Sequence, residues 1–204
     1  QHHLTGQLAE VLARPGGGEH LLGFVSIDHF DVVTGTCGYG AGEKLLRVVG
    51  GLMRERLGLA SSLSFLGGWR FGFLLPPDEP EANLGLCEQL CRDIYGMRFE
   101  WNGRAQPVTG SVGAVLVRPG QGEPDGLLSA AAVACTTAQE CGGNRVQVFR
   151  EDDEAISESR DRLRWLGLVE EVIRAERIRL QVQKIAPLDP ESGRTAHHEV
   201  LMRA

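Results

Sequence analysis

"SFLGGWRF", residues 64–71, decides the fold. Gly67 and Gly68 sit at the centre of a short apolar alternation, Ser61 to Leu75, which predicts a β-hairpin with a tight glycine turn. Trp69, Arg70 and Phe71 follow the turn, and no carboxylate lies in the stretch. It therefore reads either as the remains of a catalytic turn or as a turn alone.

Outward from this hairpin, strand and helix patterns alternate. Residues 4–13, "LTGQLAEVLA", have helical spacing and stop at Pro15 and a glycine triplet. "LLGFVSI", 21–27, is a continuous apolar run that suits a central buried strand, and Asp28, His29 and Phe30 follow it. The Gly-rich stretch 34–43 is read as leading into a helix from about Ala41 to Leu57, with Leu45, Val49, Leu52 and Met53 on one face. A second helix starts at Pro80 and runs to about Tyr95, with Cys87, Leu90, Cys91 and Ile94 inward.

"MRFEW" and "PVTGSVGAVLV" flank an Asn102-Gly103 turn and are expected to pair as a second hairpin. A small-residue helix over about 125–140 and a strand over 144–149 complete the pattern. The sum predicts an α/β sandwich with a mostly antiparallel central sheet flanked by helices. Beyond residue 150 the composition turns charged, "EDDEAISESRDRLR", and reads as a helical linker with Leu166, Val169 and Ile173 inward. Residues 177–188 and 196–203 then read as two strands joined by a turn.

Composition narrows the function. The chain of 204 residues is 42% hydrophobic and 24% charged, the balance of a globular protein. A net charge of −6 without a basic block argues against nucleic-acid binding. No apolar run is long enough to span a membrane, so none is expected in this fragment. The five cysteines form no CxxC pair and read as core thiols of a reducing cytoplasm. The adjacent pairs His2/His3 and His197/His198 would point to opposite faces of a strand, and read as ordinary surface or half-buried histidines rather than ligands. A start at Gln1 rather than Met reads as a fragment of a longer protein.

The motif order resembles a GGDEF domain, over about 2–149, followed by the first part of an EAL domain, over about 160–204. "HHLTG" (2–6), "SIDHF" (26–30), "GYGAGEKLL" (38–46), "LGGWRF" (66–71), "GSVGA" (110–114) and "AQECGGN" (138–144) carry it, in order and at suitable spacing. GGDEF domains make cyclic di-GMP from two GTP molecules, and EAL domains hydrolyse it. The resemblance thus implies a GGDEF domain over 1–150, a helical linker and first EAL helix over 151–176, and a truncated EAL start over 177–204, an incomplete TIM-like barrel.

The resemblance also assigns sites. The metal carboxylates of an active GGDEF domain fall at Ser26 and Trp69, and the second hairpin carboxylate at Arg70, after Gly67 and Gly68 and before Phe71. None of the three supplies the hard anionic oxygen that Mg²⁺ needs for phosphoryl transfer. The guanine-reading Asn and Asp become Thr34 and Glu43, and the phosphate-contacting Lys becomes Gln139, with Ala132 and Thr136 upstream. Asp28 is implied to support the fold. The product-inhibition Arg-x-x-Asp would fall at Gly58 and Ser61 and is absent.

In the tail, Gln183, Glu199 and Arg203 take the positions of cyclic di-GMP contacts, with Glu199 a latent metal ligand in a complete EAL domain. Lys184 replaces the usual Pro, and Val200 the usual Ala. The expectation is a catalytically inactive GGDEF domain that acts as a regulatory and dimerisation module in a GGDEF–EAL protein, itself a cyclic di-GMP phosphodiesterase or receptor. A GTP-sensing domain without turnover and a protein-interaction scaffold are the alternatives. No cofactor is expected in this fragment, and Mg²⁺ or Mn²⁺ only in the complete EAL domain. The expected partners are a second copy, the other domains of the parent, and cyclic di-GMP through the EAL domain.

Overall fold

The computed structural model describes residues 2–14, 16–58, 61–150, 179–185 and 197–203. The chain divides into two compact units, Gln1–Ser159 and Arg160–Ala204. The linker helix expected over 151–176 lies outside the described residues.

In the first unit the elements run α1 (His2–Ala13), β1 (His20–Ile27), α2 (Phe30–Cys37), α3 (Tyr39–Leu57), β2 (Ser62–Gly67) and β3 (Arg70–Leu75). They continue with α4 (Pro80–Gly96), β4 (Phe99–Trp101), β5 (Arg104–Gln106), β6 (Gly110–Val117), α5 (Pro124–Glu140) and β7 (Val146–Val148). Five strands form one sheet in the order β2-β3-β1-β6-β7. Only the β6–β7 pairing is parallel, so the sheet is mostly antiparallel.

The apolar run of β1 lies in the middle of this sheet, where both faces must be covered. Alternation splits its side chains between two cores. Leu21, Val25 and Ile27 pack with α3 and α4, through Leu45, Val49, Met53, Leu90 and Ile94. Leu22 and Phe24 pack with α1 and α5, through Leu4, Leu8, Leu127 and Ala131. Gly23 has no Cβ because the ring of Phe73 fills that space.

Two expectations are corrected. The residues after β1 are a helix, α2, and not a loop leading to Ala41; α3 itself begins at Tyr39. Its β-branched and glycine residues favour other conformations, but α2 packs closely on α3. A Cβ at Gly42 would meet Thr34 Cγ2 at 2.6 Å and the Phe30 ring at 2.9 Å.

The second correction concerns the hairpin at Asn102-Gly103. Both residues have positive φ, 50° and 75°, as a tight hairpin turn requires. The strand that pairs with β4 is Arg104–Gln106, in a separate two-stranded sheet. Pro107 has no N–H to extend that ladder, and the following residues enter the main sheet as β6.

In the second unit, β8 (Arg179–Ile185) and β9 (His197–Arg203) pair antiparallel, as the sequence predicts. No helix among the described residues is long and apolar enough to cross a membrane.

Candidate functional site

The site is built where β1 ends. The N–H of Ile27 donates to the carbonyl of Trp69 at 3.2 Å, and that of Asp28 to the carbonyl of Thr109 at 2.9 Å. The end of β1 is thereby held to the β2–β3 turn on one side and to the start of β6 on the other. Gly67 and Gly68 form that turn with φ of 97° and 60°, where an L side chain would be strained. Register places Ser26 opposite Arg70 on one neighbour and opposite Ser111 on the other.

Asp28 organises this end of the sheet. Its Oδ1 accepts from the Ser111 hydroxyl at 2.8 Å and from Gln139 Nε2 at 3.3 Å. Its Oδ2 accepts from the Thr109 hydroxyl at 2.8 Å and from the Asn144 N–H at 2.9 Å. Gly143, at φ 70°, leaves room for the carboxylate: a Cβ there would meet Oδ2 at 2.8 Å. Asp28 therefore ties together β1, β6, α5 and the approach to β7.

Ser26 is fully buried, and among the described residues its hydroxyl has no hydrogen-bond partner. Arg70 is exposed and makes no ion pair among the described residues. Its charge is felt by Cys135: burial pushes that thiol up to about 12, and the Arg70 guanidinium opposes the rise. Burial likewise raises Cys87 and Cys91 to about 12. These three thiols are buried as expected, whereas Cys141 is exposed and Cys37 intermediate.

The indole of Trp69 stacks on Phe30, with centroids 5.8 Å apart and planes 20° apart. The stack borders an open cleft of about 330 Å³, also lined by Asp28, His29, Thr136 and Gln139. His29 precedes α2 in the left-handed conformation, φ 51°, and supplies no side-chain cap. Among the described residues no group of three His, Cys, Asp or Glu side chains could hold a metal.

The other expected site residues lie apart from this cleft. The Thr34 hydroxyl donates within its own helix, to the carbonyls of Phe30 and Asp31 at 3.2 and 3.0 Å. Glu43 is exposed and pairs loosely with Arg47 at 3.8 Å. Phe71 is buried in the α3–α4 core. In the second unit Gln183 and Glu199 are exposed and directly opposite each other across β8 and β9, and Arg203 is placed at the end of β9, opposite Arg179. Sequence reading missed Thr109, Ser111 and Asn144 as partners of Asp28. They stand 81, 83 and 116 residues away in the chain, and no local pattern links them.

Comparison with known proteins agrees with this architecture. The GGDEF domain of a Pseudomonas aeruginosa protein, TpbB or YfiN, superposes with a TM-score of 0.69 at 21% identity, covering 78% of this chain and 94% of that one. The probable diguanylate cyclase DgcE of Escherichia coli is 30% identical over 141 residues, 69% of this chain and 13% of that protein. The cyclic di-GMP phosphodiesterase PdeB of Shewanella oneidensis is 24% identical over 180 residues, 88% of this chain and 21% of its own length. The chain thus spans about a fifth or less of the length of these two relatives. The family described as "Diguanylate cyclase, GGDEF domain" matches residues 1–145. The chain belongs to the GGDEF family of cyclic di-GMP signalling domains.

Proposed function

We propose that this GGDEF domain does not cyclise GTP, and serves as a regulatory and dimerising module in front of an EAL domain that hydrolyses or binds cyclic di-GMP. The observation that carries the reading is the pairing of Ser26 with Arg70 at the end of β1. The positions that would offer carboxylates to a metal hold a buried hydroxyl, an indole stacked on Phe30, and a guanidinium. Mg²⁺ requires hard oxygen ligands in near-octahedral order, and a neighbouring cation opposes its entry. Asp28, the carboxylate that remains on β1's terminus, already accepts four hydrogen bonds. This donor set does not fit the metal.

The EAL part of the reading rests on two supports. The similarity to PdeB, a phosphodiesterase by name, is long enough that it must run past residue 145, where the GGDEF match ends. Gln183 and Glu199, the expected ligand contacts, are direct cross-strand neighbours.

The test is incubation of the purified chain with GTP and Mg²⁺ or Mn²⁺, followed by chromatography for cyclic di-GMP. No product above the protein-free control is expected, and product formation would overturn the proposal. In the parent protein, deletion of residues 1–150 is expected to change cyclic di-GMP turnover or binding; no change in either would remove the regulatory role. A second reading, GTP held without turnover, is favoured by the cleft that stays open beside the Trp69–Phe30 stack. Calorimetric titration with GTP separates it from a scaffold that binds no nucleotide.

A further inference from the structure

A second cavity lies at the start of β1, away from the cleft beside Trp69. His20 opens β1 and Asp28 follows its end, so the two places stand about 26 Å apart along the strand. The cavity holds about 210 Å³ and is bordered by α1, the start of β1 and the β2–β3 pair. Pockets for drug-sized ligands hold roughly 300–1,000 Å³, so the occupant of this one is smaller.

Four polar side chains border it, and each keeps bonding capacity in reserve. Gln7, Glu10 and Arg14 recur at the spacing that puts side chains on one stripe of α1, with Arg14 just past the helix end. Glu10 precedes Arg14 by four residues, the order that favours an ion pair, yet among the described residues neither makes one. His20 joins them from β1. Its Nδ1 lies 3.0 Å from the Leu75 carbonyl, which only accepts, so Nδ1 carries the proton and Nε2 of the neutral ring is left as an acceptor. Gln7 Oε1 is sealed from solvent without a hydrogen-bond partner. Among the described residues only Ser26 Oγ shares that condition, since Asp93 Oδ2 has Arg56 Nε at 2.7 Å. An orphaned buried acceptor is costly to keep. The last torsion of a glutamine is soft, so its oxygen can turn to meet an N–H in the cavity.

We propose that this cavity binds a small aliphatic α-amino acid as its zwitterion. The charges select the class. A plain anion would meet the Glu10 carboxylate, and a plain cation the Arg14 guanidinium. A molecule with both signs satisfies both. Its carboxylate accepts from Arg14, and its ammonium donates to Glu10, His20 Nε2 and Gln7 Oε1, three acceptors for three N–H bonds. Apart from the Ser62 hydroxyl, the remaining wall is apolar, from Val11, Leu74, Leu75 and Pro76, and suits a branched hydrocarbon side chain. This site is independent of the reading proposed for the Trp69 cleft.

The experiment is calorimetric titration of the 204-residue chain with L-valine, L-leucine and L-isoleucine, repeated as thermal unfolding at the same ligand concentrations. Analogues of the tightest binder test the zwitterion; for leucine they are isocaproate, which lacks the ammonium, and isoamylamine, which lacks the carboxylate. At least one of the three amino acids is expected to bind in the millimolar range or tighter and to raise the unfolding midpoint. Each analogue is expected to bind about tenfold more weakly or worse, the loss of a charge-assisted hydrogen bond. Arg14→Gln and Glu10→Gln are expected to weaken binding by about as much, with unliganded circular dichroism spectra like the wild type, because both side chains are exposed. If one variant fails to fold, the other decides. The proposal is overturned if none of the three amino acids gives heat or a shift in midpoint, if either analogue binds as tightly as its parent, or if a folded variant keeps wild-type affinity.

Discussion

Ser111 donates its hydroxyl to Asp28 at 2.8 Å across two neighbouring strands, and both side chains are buried. This bond belongs to a group of four that converge on one carboxylate from β6, α5 and the segment before β7. Removing the acceptor would strand several donors at once. An unsatisfied buried group costs about 1–3 kcal/mol, and bonds to a charged acceptor are the stronger kind. Asp28→Ala is therefore expected to destabilise the domain by about 3–5 kcal/mol. Asp28→Asn keeps one carbonyl acceptor and is expected to lose about half as much. Urea unfolding measures both, and a loss below about 1 kcal/mol for Asp28→Ala would refute the role.

The glycines separate into those that make room and those that do not. A Cβ at Gly113 would overlap the main chain of α5, at Cys135 N and Ala131 O, so α5 would have to lift off the sheet. Gly113→Ala is expected to cost about 3 kcal/mol or more. Gly51 sits exposed inside α3 with nothing near its missing Cβ. Gly51→Ala is expected to stabilise by about 0.5–1 kcal/mol through helix propensity. Thermal midpoints that moved in the same direction for both would contradict the packing of α5 on β6.

The sheet was largely legible because its strands carry strong local signals. The run 21–27 announced a central strand, and Gly67-Gly68 announced the β2–β3 turn. Where sequence reading erred, tertiary contact or a single residue overrode the local pattern. Helix α2 owes its conformation to packing of Phe30 and Thr34 on Gly42, which is not a property of its own residues. The β4–β5 hairpin ends early because Pro107 cannot donate to the ladder. The site was legible only as positions. Ser26, Trp69 and Arg70 could be named from motif order, but the four bonds to Asp28 come from residues too far apart in the chain for periodicity to connect.

The Trp69–Phe30 stack joins the β2–β3 turn to the start of α2. The main-chain bond from Ile27 to the Trp69 carbonyl does not depend on the indole. Trp69→Ala should keep the hairpin but release the wall of the cleft. A loss of about 1 kcal/mol is expected, the usual worth of an aromatic pair beyond its buried area, with the far-ultraviolet spectrum unchanged. A loss of sheet signal in this variant would mean that the indole, and not the main chain, holds the turn.

The buried thiols make stability fall at alkaline pH. Burial raises Cys87, Cys91 and Cys135 from an ordinary value of 9.0 to about 12 in the folded chain. For such groups the unfolded chain releases its protons first. Their contribution is therefore fully present below about pH 9, and it is lost as pH rises from there towards 12. Unfolding midpoints are expected to fall steadily across that window, and Cys87→Ala to flatten the fall while lowering stability at neutral pH through the cavity it leaves. The same burial predicts selective labelling. At pH 8 a thiol reagent should modify the exposed Cys141 first and Cys37 more slowly, and leave the three buried thiols until the chain unfolds. Mass spectrometry after a timed pulse reads the order directly. Early modification of Cys87 or Cys135 in folded protein would show that the α3–α4 or α1–α5 core opens far more readily than its packing implies.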